Sequence, residues 1–217
     1  MIAIEHYLLL VTLWVCWCGL HSLLISVAVS QYLEKVLAEH VRYYRIIYNL
    51  ISAVTLIVPV SFSLVMQRSE TVLMAWPDHS GIGIVRFCLI LTALYMFWSG
   101  ANHYDMKYFL GISQLRTGRN SPLLNDRTSS FSASGVSSII RHPWYLGGII
   151  LVWSVPENFY PSTMITGSVI SAYFLIGISL EERKLVRCFG ESYRAYQRDV
   201  SMLIPFYCLC RLIIKPH

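Results

Sequence analysis

The chain has 217 residues, 55% hydrophobic and only 13% charged, with a net charge of +5 and a mean hydropathy of +0.54. Soluble domains carry about 25% charged residues, so the expected solvent is the bilayer. Several spans of ~20 residues each use up the chain; they leave no space for a separate soluble domain and no basic, aromatic-interleaved surface for nucleic acid.

The first apolar stretch, Tyr7 to Val29, follows Glu5 and His6 rather than a basic leader, and it is far longer than a signal-peptide core. It is expected to be a retained span. Two further charge-poor stretches, Ile46 to Met66 and Ile82 to Ala101, complete three N-terminal transmembrane helices within residues 1–103. Residues 104–142 are expected to form a cytoplasmic loop, rich in Ser, Thr, Asn and Gly from Thr117 to Ser138.

The last apolar stretch, Pro143 to Leu180, is interrupted by Pro156, Glu157, Asn158, Tyr160 and Pro161. This turn cluster predicts a helical hairpin with a short first arm, Pro143 to Val155, and a longer second arm, Ser162 to Leu180. At 1.5 Å per residue the first arm falls short of a ~30 Å hydrocarbon core, so it is expected to be tilted or partly inserted. The predicted fold is therefore all-α and polytopic: five transmembrane helices including the hairpin, followed by an amphipathic cytoplasmic helix. Residues 143–217 belong to one integrated domain with the rest.

Of the seventeen Lys and Arg residues, only Arg68, after the second span, and Arg86, near the start of the third, sit on the opposite side. The others fall in 30–45, 104–142 and 181–217. The positive-inside rule then places the N-terminus outside and the C-terminus in the cytoplasm. The basic side serves topology alone or also contacts an anionic ligand or lipid headgroup. The six cysteines lack zinc spacing, and no metal site is expected.

Chemistry concentrates at the two ends of the hairpin. Arg141-His142-Pro143-Trp144-Tyr145-Leu146-Gly147-Gly148 starts a helix at Pro143. The free N–H groups of that start favour anionic groups, and the glycines allow close approach of a ligand or another helix. A hairpin brings its ends together, so Arg141 and His142 are expected beside Glu181 and Glu182, a carboxylate pair that is costly at the membrane boundary unless paired or bound. Beyond it, Glu182, Val186, Phe189, Tyr193, Tyr196 and Val200 have the spacing of one helical face, which Gly190 interrupts. An interfacial helix with snorkelling arginines explains that pattern equally well.

Taken in order, Arg-His-Pro-Trp-Tyr-Leu-Gly, an apolar hairpin, Glu-Glu-x-x-Leu and Phe-Gly-x-x-Tyr-x-x-Tyr closely resemble the membrane-embedded methyltransferases of the isoprenylcysteine carboxyl methyltransferase and phospholipid methyltransferase type, over Gly135 to Pro205. His21-Ser22-Leu23-Leu24, Tyr44-Arg45-Ile46-Ile47-Tyr48-Asn49-Leu50, Asp105, Phe109-Leu110-Gly111 and Gln114 are similar to the NnrU and methanethiol S-methyltransferase branch.

The resemblance implies S-adenosylmethionine as cofactor, entering from the cytosol, and an acceptor arriving from the membrane. It implies that His142, Tyr145, Leu146 and Gly147 line the cofactor and that Arg141 pairs with a carboxylate of the cofactor or of the Glu pair. Glu181 and Glu182 would accept from its ribose hydroxyls or ammonium, and Tyr193 and Tyr196 would pack on its adenosyl group. Arg141, His21 and His103 are the candidates for catalysis; both histidines lie toward the cytoplasmic ends of their spans, near Asn102 and Asp105, as an acceptor or proton-handling site or as interhelical hydrogen-bonding residues.

The branch favours a small thiol or other lipophilic acceptor, with an isoprenylcysteine carboxylate or a phospholipid amine as alternatives. The same two histidines also suit a haem-binding or redox-accessory membrane protein. Expected partners are the substrate and membrane lipids, not nucleic acid, and nothing in the sequence sets an oligomeric state.

Overall fold

The computed structural model describes residues 2–77, 81–103, 106–117 and 135–205. The described residues are mostly helical, and among them four helices are long and apolar enough to cross a membrane: Ile4–Ile25, His40–Gln67, Gly81–Asn102 and Pro161–Phe189. The chain divides into two compact units, one drawn from Met1–Trp76, Asp105–Asn125 and Pro156–Ile170, the other from Pro77–Tyr104, Asp126–Val155 and Ser171–His217.

In the first unit α1 (Ile4–Ile25) stops short of the sequence expectation of Val29. Ser26 turns to extended backbone and its hydroxyl accepts from Val29 N, opening a new helix, α2 (Val27–Leu37). A serine at this point competes with helix continuation because its side chain satisfies one of the free N–H groups of the next helix. A 3-10 turn, Ala38–Tyr43, leads into α3 (Tyr44–Gln67).

Leu10, Trp14 and Met66 form the buried core of this unit, with Ile165, Val169 and Ile170 packed on it. Polar side chains tie the same helices together: Trp14 Nε1 donates to Thr166 Oγ1 at 3.0 Å, and Gln67 Nε2 to Thr163 Oγ1 at 3.3 Å. Outward positions such as Leu8, Val54 and Ile57 are exposed and apolar, as expected where lipid replaces water and packing rather than hydrophobicity joins helices.

After α3, β1 (Met74–Ala75) pairs antiparallel with β2 (Asn158–Phe159). Sequence reading gave no hint of these two-residue strands, which are too short to show a period. Glu70 accepts from both Ser162 N and Ser162 Oγ. It thereby caps the start of the helix that follows β2, where a carboxylate suits the unpaired N–H groups. Two short helices, α5 (Met106–Leu110) and α6 (Ile112–Thr117), also belong to this unit.

The second unit holds α4 (Gly81–His103), α7 (Pro143–Ser154), the C-terminal part of α8 (Pro161–Phe189) and α9 (Glu191–Asp199). Helices α4 and α7 approach closely through glycine. A Cβ on Gly100 would lie 1.7 Å from Trp144 Nε1, and one on Gly147 would lie 3.2 Å from the Ala93 carbonyl oxygen. Trp144 Nε1 donates to Phe97 O at 3.1 Å in the space so left.

Against α8, Trp153 Nε1 donates to Ser171 Oγ, Gly148 meets the Phe174 ring, and Gly177 meets the Tyr145 ring. Residue numbers fall along α7 as they rise along α8, so the two segments run antiparallel. Each glycine notch seats an aromatic ring of the other helix, and the two rings meet edge to face at 5.7 Å.

Candidate cofactor site

The antiparallel run of α7 and α8 ends with Arg141 and His142 beside the glutamate pair. Arg141 Nε donates to Glu182 Oε1 at 2.7 Å and Nη2 to Oε2 at 3.1 Å, the two-pronged geometry in which guanidinium and carboxylate bind best. Its Nη1 donates to Gln197 O at 3.1 Å and to Val200 O. Those carbonyls end α9, where they lack helical partners and carry the negative end of the dipole. Four of the five guanidinium donors are thus used within the chain.

Glu182 is equally occupied. Oε1 also accepts from His142 Nε2 at 2.8 Å and Tyr193 OH at 2.9 Å, and Oε2 also accepts from Gln197 Nε2. An ionised carboxylate offers about four lone-pair sites, so Glu182 has nothing left for a ligand. Since a carboxylate only accepts, His142 Nε2 carries a proton. Glu181 differs: its side chain is 33% exposed, against 13% for Glu182, and its Oε2 lies 3.9 Å from His142 Nδ1, beyond hydrogen-bond range.

The contact between Glu182 and Tyr193 corrects the expectation of a single helical face. Eleven residues of continuous helix would separate them by roughly 16 Å. Instead α8 ends at Phe189 and Gly190 adopts φ +56°, ψ −127°, a conformation that costs a side chain 1–3 kcal/mol or so, and α9 folds back. Tyr193 is 1% exposed, which leaves no ring surface for an adenosyl group; it is a strut under Glu182. Burial, then the bond to Glu182, raises its phenol above the ordinary value of 10.0, so it stays a donor.

Tyr196 donates to Ser137 O and its ring lies 5.6 Å from that of Tyr193. The segment after α9 runs parallel to the start of the motif: Arg141 N donates to Ser201 O at 2.9 Å and His142 N to Met202 O at 3.2 Å. Beside this cluster an open depression of about 310 Å³ is lined by Glu182, Arg183, Val186, Arg187 and Gln197.

Gly147, expected to line a cofactor, is buried against α4, whose Ala93 carbonyl lies 3.2 Å from where a Cβ would sit. Leu146 is half-buried, and Tyr145 lies edge-on to His142 at 5.6 Å.

A family model described as NnrU protein matches residues 9–186. The chain belongs to the NnrU family. Within curated proteins, this NnrU-family chain is similar to a methanethiol S-methyltransferase of Pseudomonas deceptionensis, 42% identical over 81 residues, 35% of this chain and 29% of the relative. A methanethiol S-methyltransferase of Mycobacterium tuberculosis is 30% identical over 123 residues, 54% and 44% of the two chains. A protein-S-isoprenylcysteine O-methyltransferase of Schizosaccharomyces pombe is 32% identical over 75 residues, 33% and 31%. The chain spans less than a third of the length of the first of these. No solved structure matches it.

The N-terminal motifs of this NnrU-family chain form a second polar group, within the first unit. His21 stacks on Trp17 at 5.4 Å; Nδ1 lies 3.2 Å from Ser52 Oγ, and Nε2 lies 3.0 Å from Tyr48 OH. One helical turn apart on α3, Arg45 Nε and Asn49 Nδ2 both donate to Phe109 O at 3.2 Å. Gly111, at φ +90°, lets the α5–α6 turn lie against Ile46 and Arg45, where a Cβ would come within 2.8 Å. Gln114 is 1% exposed and donates to Tyr108 O. The spaced Arg45, Asn49, Gly111 and Gln114 thus hold a turn in place. His103 closes α4; its side chain and Asp105 lie outside the described residues.

Sequence reasoning missed Gln197 and the strap from Val200 to Met202. The signal for Gln197 was present, since it lies one helical turn beyond Tyr193. Backbone pairing of the strap leaves no side-chain pattern to read.

Proposed function

We propose that this chain is an integral membrane methyltransferase that uses S-adenosylmethionine to methylate a small thiol or another lipophilic acceptor at the cytoplasmic side. One observation carries the reading. At the Arg-His-Pro and Glu-Glu motifs Arg141 and Glu182 are taken up with one another and with α9 in building the wall, and a half-exposed carboxylate, Glu181, is left over. This carboxylate stands on the same helix as Arg183 and Arg187, the two exposed arginines that line the depression, and the combination suits a ligand carrying both an ammonium and a carboxylate. The similarity to two S-methyltransferases and an O-methyltransferase supports the same chemistry.

When bound, the cofactor supplies an electrophilic methyl group on a sulfonium. The chain's part is to bind, orient and exclude water, because in-line displacement needs alignment more than acid–base help. Glu181 receives the ligand's ammonium or ribose hydroxyls. Arg141, Glu182, His142 and Tyr193 hold the wall from which it projects, and Tyr145 packs between His142 and Gly177 behind it. A thiol acceptor reacts as its thiolate, which requires no strong base from the protein.

Five membrane crossings, with the N-terminus outside, place this wall on the cytoplasmic side. The distribution of Lys and Arg supports that topology, as does the β1–β2 pairing, which joins the loop after α3 to the turn before α8. The test is methyl transfer by purified protein in nanodiscs from labelled S-adenosylmethionine to three acceptors: a small thiol, a prenylcysteine and a phospholipid amine. Label in the thiol product is the expected result. No binding of S-adenosylmethionine by calorimetry would sink the reading.

A further inference from the structure

We propose that Gln197 is a positioning residue for the cofactor site, fixing the Arg141–Glu182 pair in the one orientation that leaves Glu181 free for a cationic ligand. This rests on the cofactor reading above.

Gln197 touches both partners of the pair. Its side-chain amide donates to Glu182 Oε2, and its backbone carbonyl accepts from Arg141 Nη1 at 3.1 Å. Tyr193, one turn earlier on α9, donates to the other oxygen, Oε1, at 2.9 Å. Each oxygen of Glu182 is therefore held both by the Arg141 fork and by α9, with His142 Nε2 a third donor to Oε1. Two such grips fix the rotation of the carboxylate group about its own axis, which the fork alone leaves free to pivot with the flexible arginine.

The rotation matters because the next residue is another carboxylate. If Oε2 lost its α9 donor, the Glu182 carboxylate would be free to turn and would carry with it the His142 ring, whose Nε2 bonds Oε1 at 2.8 Å and whose Nδ1 lies 3.9 Å from Glu181. Glu181 would then be repelled or drawn into the chain's own network. Gln197 also lines the depression beside the pair, so its amide stands at the edge of the space a ligand would enter. A donor is required at this position: glutamate would set a like charge against Oε2, and an apolar residue would leave that oxygen short of a partner.

Full-length protein in nanodiscs supplies the test, with S-adenosylmethionine as calorimetric probe and thermal melting alongside. Gln197→Met keeps the length and removes the donor, and it should weaken binding ~10-fold, with a smaller fall in melting temperature than Glu182→Gln because Arg141 still holds Oε2. Gln197→Glu should weaken binding further.

In a Glu182→Gln background, Gln197→Met should add almost nothing, because both changes break the same contact. A residue that only packs α9 would show the same loss in either background. Wild-type affinity in Gln197→Met, or additive losses in the double variant, would overturn the proposal. A wild-type protein that binds no S-adenosylmethionine refutes the cofactor reading itself, and the wild-type titration separates that failure from this one.

Discussion

Glu181 and Glu182 are neighbours in sequence with different surroundings, and their substitution should separate two properties. Glu182→Gln removes the charge that holds Arg141, His142 and Tyr193, leaving a largely buried guanidinium short of its partner. Breaking such a pair costs about 3 kcal/mol, and the melting temperature should fall by several degrees. Glu181→Gln should melt like the wild type and bind S-adenosylmethionine ~10-fold more weakly, the loss of one charged hydrogen bond. Equal melting loss in both variants would mean that Glu181 is also structural.

Tyr193 adds a pH signature. Because the folded state raises its phenol above 10.0, its contribution is complete below pH 10 and is lost as pH rises further, when the unfolded chain ionises first. Melting followed from pH 7 upward should drop more steeply above pH 10 in the wild type than in Tyr193→Phe. The meeting of Arg141 and His142 with the glutamates was legible in the sequence, since a turn cluster halfway between them implies that the ends meet. Which glutamate is saturated was not, because that depends on α9 folding back.

The glycines govern how closely the elements pack. Gly100→Ala would put a methyl group where the Trp144 indole lies and break its bond to Phe97 O. Overpacking of this kind costs about 1–3 kcal/mol, and tryptophan emission should shift to the red as the ring is expelled. Gly190→Ala should cost a similar amount through backbone strain and loosen α9 from Glu182, lowering cofactor affinity together with stability.

Helix starts and ends carried by proline and glycine, Pro143 and Gly190, were readable from sequence because those residues restrict or free the backbone. The break at Ser26 was not, since it lies inside an unbroken apolar run and acts only through its hydroxyl. Gly147 and Gly148 were ambiguous between ligand and helix contact until their neighbours, Ala93 and Phe174, were known.

For the whole molecule, the orientation proposed from the asymmetric basic charge can be checked by single-cysteine labelling. In a cysteine-free background, Ser69→Cys, which is exposed after α3, should react with an impermeant maleimide added outside the cell. Ser192→Cys, exposed at the start of α9, should react only after permeabilisation. The reverse pattern would place the Arg141–Glu182 wall on the wrong side for a cytosolic cofactor.

The grip of Arg141 on the end of α9 also has a consequence for biosynthesis. Its partners lie 41, 56 and 59 residues further along the chain, so during synthesis this guanidinium waits, water-bound, while the helices on either side of it enter the bilayer. Glu182 emerges first and Val200 last. A nascent chain stalled before Val200 would hold half a site, and a protease acting on unfinished chains should find the Arg-His-Pro segment accessible until the strap has left the ribosome.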